Sequence, residues 1–314
     1  MNHLVGCSLR AAAYAADPVE SMLVEGERAE LEKFKATYLA NADASPSAVP
    51  QWELSRAEVE ALPPSGWRAL DDTTLLRFLR ADKRKGEYDH ATSMTRLLHA
   101  LAWRKKMGSD LLLATPEDDA YAHLRIRRWV GYDKLGRPVQ FERLGKFLSS
   151  GNSKAFTADE WLHHYARDLE TTFVQLRAAS TASGKPTTNY LFCADFAGGG
   201  GIVFHMGSII PLLKMLTKEV EANFPEMVGN ILIFNAPRIF ATLFPMVKAF
   251  MDPITAAKIE VYASVPTERL LALMDASTLP TEYGGTNTAP YPQTRVYDKR
   301  QSQQDQGDGA VPVS

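Results

Sequence analysis

The chain reads as an α/β protein whose N-terminal subdomain is all helical. Two observations lead there. Apolar residues keep helical spacing through roughly the first 125 residues, and beyond them short apolar runs bounded by turn residues alternate with helical segments. Strands separated in this way by helices assemble a mixed, mostly parallel sheet with helices over it. With 314 residues, 45% hydrophobic and 23% charged, the composition is that of a soluble globular protein with a sizeable core.

Asp17-Pro18 reads as an N-cap followed by proline at the first helical position, opening a helix through VESMLVEGERAELEKFKATYLA that NADASPSAVPQ ends. Ser55 and Glu58 have capping-box spacing for a short helix that stops before Pro63-Pro64. Asp71 and Asp72 precede a helix in TTLLRFLRA, and a longer one follows in EYDHATSMTRLLHALAWRKKMG, with Met94, Leu97, Leu98, Leu101 and Ala102 at helical spacing. The pattern changes at WVGYDKLGRPVQFERLG, where a turn over Asp133 to Gly136 leads into VQFER, alternately apolar and polar. Strands are expected in NYLFCADF, NILIFNA and KIEVYAS, with helices over residues 157–180, 203–223 and 237–251. There is no internal repeat, and the tail DKRQSQQDQGDGAVPVS has a disordered composition.

Thirty-five basic residues against 37 acidic ones give a net charge of -2, so no global field points to nucleic acid or to an anionic membrane. The cysteines are Cys7, in an N-terminal segment expected to be loose, and Cys193, expected as a buried core thiol; a thiol-reducing compartment fits this usage. The opening MNHLVGCSLRAAAYAAD is too interrupted by His3 and Arg10 to read as a cleaved signal, and no run approaches the length that crosses a bilayer. The expected setting is cytoplasmic, with any membrane contact made from outside.

Several chemistries are disfavoured. Gly198 to Gly201 precede a helix, where a phosphate-cradling loop would sit, but Val203 takes the place of the third glycine and no Walker lysine follows. The loop reads as a flexible connection. His163 and His164 are adjacent, hence about 100° apart on a helix, and lack a third ligand at metal spacing. No Gly-x-Ser-x-Gly elbow occurs, and no catalytic constellation is found. The basic groups Arg77, Arg80, Lys83, Arg84 and Lys85, then Arg104 to Lys106, then Arg125, Arg127 and Arg128, read mainly as solvated surface, with a phosphate or anionic-lipid contact as the minority reading.

The segment IFATLFPMVKAFM, residues 239–251, carries one charge, Lys248. Ile239, Phe240, Leu243, Phe244, Val247, Phe250 and Met251 form a broad apolar face, which periodicity alone assigns to ordinary core ahead of a cover over something apolar. Pro245 should kink this helix and allows a hinge. Asp252-Pro253 then starts a short helix whose Thr255 and Lys258, three apart, share a face. A hydroxyl beside an ammonium can bind a phosphate; a surface lysine near a helix-turn threonine is the plain alternative.

LDDTTLLRFLRADK, GYDKLGRPVQFERLGK, FPEMVGNILIFNAPRIF, AFMDPITAAKI and LPTEYGG, in that order, resemble the CRAL-TRIO, or Sec-fourteen-like, phosphatidylinositol transfer proteins over roughly residues 55–286. The resemblance implies a helical subdomain followed by a lipid-binding domain, its sheet flooring an apolar pocket. It makes the segment Phe240, Leu243, Phe244, Val247, Phe250 and Met251 a mobile gate. Thr255 and Lys258 match residues that contact the phosphate of phosphatidylinositol, Glu226 matches a glutamate associated with that lysine, and Lys83 belongs to the same signature. The family has arginine directly before that lysine, where this chain has Asp82; either Arg84 substitutes from two positions on or headgroup affinity is reduced. Where such proteins use two tyrosines, a serine and a threonine for phosphatidylcholine, this chain has Trp129, Gln140, Tyr190 and Phe192. Aromatic rings could still cage a quaternary ammonium, and a different second ligand is equally open.

The resulting expectation is a non-enzymatic lipid transfer or exchange protein, a monomer without cofactor or metal. It would carry phosphatidylinositol and a possible second lipid, and touch membranes transiently. The rivals are a sensor that presents a lipid to a partner such as a lipid kinase, and a nucleotide-using enzyme built on the Gly198 to Gly201 loop. Expected units are residues 1–54, an extension with one helix; 55–125, the helical subdomain; 126–286, the lipid-binding domain; and 287–314, a tail.

Overall fold

The structure, a computed structural model, describes residues 26–43, 72–113, 115, 121, 126–183, 187–251 and 253–290. The expected helix start at Asp17, the short helix after Ser55 and the C-terminal tail beyond residue 290 lie outside these.

Helix α1 (Glu27–Asp43) and α2 (Asp72–Ala81) lead into a two-residue hairpin, β1 (Lys83–Arg84) with β2 (Glu87–Tyr88), and then α3 (His90–Met107). The hairpin corrects the all-helical reading of this region. Lys85 and Gly86, at φ 52° and 91°, make the left-handed pair of a tight hairpin turn, a signal that helical periodicity does not carry. Asp89, not Glu87, opens α3, its carboxylate accepting from the Thr92 amide and hydroxyl at 3.0 and 2.7 Å. Leu31, Phe34, Leu75, Leu79, Leu97 and Leu101 from the three helices share one core with Leu169 and Phe173.

The second part runs β3 (Arg127–Tyr132), β4 (Pro138–Arg143), α4 (Leu144–Ser149), α5 (Ala158–Ser183), β5 (Tyr190–Asp195), a 3-10 turn (Gly199–His205), α6 (Met206–Asn223), β6 (Val228–Phe234), α7 (Phe240–Lys248), α8 (Pro253–Ala257), β7 (Ile259–Val261) and α9 (Thr267–Leu273). Five strands form one sheet in the order β3-β4-β5-β6-β7, antiparallel between β3 and β4 and parallel thereafter. The α/β architecture with a mostly parallel sheet is therefore as expected, with β3 an added edge strand. Asp133 organises the β3–β4 turn by accepting from the Leu135 and Arg137 amides and from the Arg137 guanidinium.

Period-two alternation divides the sheet into two unlike faces. Val139, Phe141, Leu191, Cys193, Leu232 and Phe234 point to one side and are sealed by Leu270, Met274, Leu279 and Tyr283. Cys193 is wholly buried there, and burial alone pushes its thiol up. The other side carries Glu142, Tyr190, Phe192, Ile231 and Ile233, and over it lie α5 and α6. The Gly198 to Gly201 segment is packed in part: Gly199 is buried, while Gly198 and Gly200 are exposed. Gly198 (φ 76°) turns the chain, and a side chain at Gly145 of α4 would meet the Phe196 and Ala197 carbonyls at 2.3 Å, so only glycine admits this approach.

Candidate functional site

Between the second sheet face and helices α4, α5, α6 and α8 lies a cavity of about 690 Å³. Its floor is strand backbone carrying Tyr190, Phe192, Val228 and Ile231; Leu212, Leu213 and Leu216 of α6 form one wall, and Ala249, Phe250 and Met251 follow α7 at the rim. The stretch Gly199–Asn223 is long and apolar enough, by length and composition, to cross a membrane, which the sequence reading had not found, and only 17% of an apolar 18-residue portion of it is buried. Its Leu212, Leu213, Leu216 and Val220 line the cavity, which accounts for part of that low burial, whereas Val203 and Phe204 are exposed at the surface.

Helix α7 spans Phe240–Lys248, shorter than the expected 237–251, with Pro245 inside it. Periodicity assigned this face to core, yet none of its described side chains is fully buried: Phe240, Phe244, Val247, Phe250 and Met251 are half-buried and Met246 is 52% exposed. Phe240 and Phe244 stack at 5.4 Å between ring centroids, and Phe240 packs edge-on against Phe196. Leu243 lies in the same helix. Amphipathicity shows that a face is apolar, not what it meets: here Ile239, Phe240 and Phe244 pack against the core, whereas Phe250 and Met251, just beyond the helix, line the cavity.

At one end the cavity becomes polar. Lys258 Nζ stands 3.4 Å from Glu226 Oε2, and Thr255 joins them in the lining. Local geometry fixes all three. The Lys258 amide donates to the Thr255 carbonyl at 3.0 Å as α8 ends, and the Lys258 carbonyl accepts from Ile231 of β6 at 2.9 Å, so the lysine is tied to the sheet edge. Glu226 sits in the turn from α6 to β6 at φ 60°, a left-handed backbone that side chains with a Cβ resist.

Lys83 and Arg84, expected to serve the same headgroup as Thr255 and Lys258, are not among the residues that line this cavity. Lys83 Nζ donates to the Tyr88 hydroxyl at 2.8 Å and lies 4.3 Å over the same ring. Arg84 is exposed, donating to the Ala81 and Lys83 carbonyls at 3.2 Å. Both belong to the β1–β2 hairpin, whose turn holds them on its own surface. Asp82 is buried, and its carboxylate grips Arg96 with Nε and Nη2 at 2.9 and 2.7 Å.

The quartet Trp129, Gln140, Tyr190 and Phe192 is split. Trp129, Gln140 and Phe192 are cross-strand neighbours in register, but only Tyr190 and Phe192 line the cavity. Trp129 is held edge-on to Tyr190 at 5.6 Å, and Gln140 is buried in the sheet.

The deeper wall holds a polar cluster that the sequence reading missed. Arg127 pairs with Glu142 at 2.5 Å and with Asp168 at 2.8 Å, and the Tyr121 hydroxyl donates to Asp168 at 2.6 Å. Burial pushes the Glu142 carboxyl up, and Arg127 opposes it only in part. Burial would lower the Arg127 guanidinium, but Asp168 and Glu142 more than offset it and hold it well above its ordinary value. Tyr165, also in the lining, is pushed up to about 12, chiefly by burial.

The expected solvated arginines thus divide. Arg77 is buried over the Phe173 ring, Arg104 is buried against Glu170, and Arg127 faces inward. Opposite charges 66 residues apart, as in Arg104 and Glu170, leave no local trace in a sequence. His164 stacks on Tyr121 at 4.1 Å, and among the described residues no cluster of three or more His, Cys, Asp or Glu is placed to hold a metal.

The phosphatidylinositol/phosphatidylcholine transfer protein SFH4 of Arabidopsis thaliana is 33% identical over 232 residues, which are 72% of this chain and 37% of that protein. The SEC14 cytosolic factor of Yarrowia lipolytica is 32% identical over 224 residues, 70% of this chain and 44% of that protein. This chain therefore matches less than half the length of either relative. The crystal structure of Sfh5 superimposes with a TM-score of 0.65 at 15% identity, over 90% of this chain and 98% of that one, a likeness of fold. The CRAL/TRIO domain matches residues 125–285, and the chain belongs to that family.

Proposed function

We propose that the protein binds phosphatidylinositol in this cavity and moves or presents it between membranes. The observation that carries the reading is the pairing of an apolar cavity with a polar end built from Glu226, Thr255 and Lys258. Each methylene withdrawn from water is worth about 0.8 kcal/mol, so a diacyl lipid leaves a bilayer readily only into an equally apolar enclosure. The floor and the α6 wall supply that enclosure, Lys258 and Thr255 hold the phosphate, and Glu226 steers the lysine. Helix α7, half-exposed and carrying Pro245, serves as the gate that meets the bilayer. The lipid-binding unit is residues 126–286, with the helical subdomain before it, and the protein works in the cytoplasm as a transient membrane visitor without doing bond chemistry. The relatives named for phosphatidylinositol and phosphatidylcholine transfer support the ligand class.

The test is transfer of phosphatidylinositol between donor and acceptor vesicles by the purified protein. Lys258→Ala removes a charge-assisted contact and should slow transfer by about tenfold or more. Transfer at the background rate by the unsubstituted protein, or an undiminished rate in the variant, refutes the reading.

A further inference from the structure

Among the described residues three cationic side chains line the cavity: Lys258, Arg127 and Arg96. Arg127 is deep in the wall, between two carboxylates. Arg96 is elsewhere. Its Nη1 donates to the Glu221 carbonyl near the end of α6, at 3.1 Å, and five residues later the chain reaches Glu226, the partner of Lys258. Ala81, Glu221, Pro225 and Glu226 line the cavity beside it. Through the Glu221 carbonyl the guanidinium is joined to the α6 end of the lining, with its side chain 28% exposed.

Asp82 explains how it is held there. Its side chain is only 3% exposed and does not line the cavity, so the acid stands behind the arginine rather than in front of a ligand. Two parallel hydrogen bonds, Nε to Oδ2 at 2.9 Å and Nη2 to Oδ1 at 2.7 Å, fix the plane of the guanidinium as well as its position. A pin needed only to join α3 to α6 would be served as well by apolar packing, without placing a charge on a cavity wall.

We propose that Arg96 is the second cation of the anionic-headgroup site, that it contacts the ligand's phosphate together with Lys258, and that Asp82 is its positioning residue. This rests on the phosphatidylinositol reading and deepens it: the acid at position 82 serves phosphate binding instead of opposing it. The shared chemistry is a phosphate anion, carried on a lipid or free in solution.

The experiment equilibrates the full chain with phosphatidylcholine vesicles containing equal amounts of phosphatidylinositol and of diacylglycerol with the same acyl chains. Native mass spectrometry then reads the ratio of the two in the protein. A ratio taken within the folded population is insensitive to how much protein folds. Arg96→Gln should lower it about tenfold, as for loss of one charge-assisted contact, and Arg96→Lys should recover part of the loss. Asp82→Asn should lower it as well. A rise in that variant would mean that Asp82 merely repels phosphate and would overturn its assigned role. Asp82→Asn with Arg96→Gln leaves no buried unpaired charge and should match Arg96→Gln alone; recovery of the unsubstituted ratio would trace the single-variant loss to a disturbed fold and overturn the proposal. An unchanged ratio in Arg96→Gln while Lys258→Ala lowers it sinks the Arg96 assignment and leaves the lipid reading standing. No change in either sinks both. Excess inorganic phosphate should leave the unsubstituted ratio intact, and a drop as large as that of Arg96→Gln would assign Arg96 to a free anion instead.

Discussion

Glu226 offers a way to separate backbone strain from ligand chemistry at one residue. It is held at φ 60°, and among the described residues it is the one non-glycine position with positive φ that lines the cavity. A left-handed backbone costs a residue with a Cβ about 1–2 kcal/mol, whichever side chain it carries. Glu226→Ala keeps that cost and removes the carboxylate; Glu226→Gly removes both. Glycine brings its own penalty of about 0.4–1 kcal/mol through a freer unfolded chain. The net advantage of glycine over alanine is then about 1 kcal/mol. Loss of the carboxylate is common to both variants and small for stability, about 0–1 kcal/mol, because the pair is 3.4 Å apart with its side chains 33% and 23% exposed. Thermal unfolding followed by circular dichroism should place Glu226→Gly above Glu226→Ala by about 2–4 °C, the scale for a domain of this size. Phosphatidylinositol transfer should fall alike in both, since both leave Lys258 without its steering partner. A glycine variant no more stable than the alanine one would refute the strain. Transfer lost only in the glycine variant would refute the role given to the carboxylate.

Arg104→Met takes from the fully buried Glu170 its bidentate arginine partner, so urea denaturation should show a loss of about 3–5 kcal/mol, most of it recovered by Arg104→Met combined with Glu170→Leu. The Glu142 carboxyl is raised by burial above its ordinary 4.5, so its contribution to stability is fully present below pH 4.5 and is lost as pH rises through its folded value. Melting temperatures of Glu142→Gln should therefore gain on those of the unsubstituted protein as pH rises from 4 to about 7; a gap moving the other way would contradict the sign. Phe244→Asp or Phe250→Asp should depress both vesicle flotation and phosphatidylinositol transfer with a native circular dichroism spectrum, whereas undiminished transfer would make α7 ordinary wall.

Local periodicity made the larger elements readable. The helix expected over 157–180 spans Ala158–Ser183, and NYLFCADF contains the strand Tyr190–Asp195 because alternate residues bury on opposite faces. Thr255 and Lys258 were legible as neighbours for the same reason: three residues in a short helix make one face. Elements too short to have a period were not. The hairpin around Lys85-Gly86 has two residues per strand, and β3 opens with two arginines that look solvated until Glu142 and Asp168 are placed against the first of them. Resemblance had its own limit: it located Lys83 and Arg84 by motif, while the turn between them and Tyr88 decides where their side chains go.

The burial of α6 and α7 shows why function was harder to read than fold. A helix that packs only on protein has its apolar stripe matched to one buried face, and its sequence and its burial agree. Here the sequence is more apolar than the burial warrants: only Ile209 and Asn223 of α6 are fully buried, and Met246 of α7 is half out. Such excess apolar surface is costly unless something covers it part of the time, at about 25 cal/mol for each Å² exposed to water. The cavity accounts for the part of that surface carried by Leu212, Leu213, Leu216 and Val220 of α6, and on the proposed transfer reading a bilayer would cover the rest. The polar end fits the same logic. Lys258 and Arg96 each arrive with a carboxylate, Glu226 and Asp82, so each cation stays neutralised at an apolar wall and each is aimed by its partner. What distinguishes the two is depth: Asp82 is sealed and can only hold Arg96, whereas Glu226 shares the lining with Lys258 and is free to face a ligand's hydroxyls.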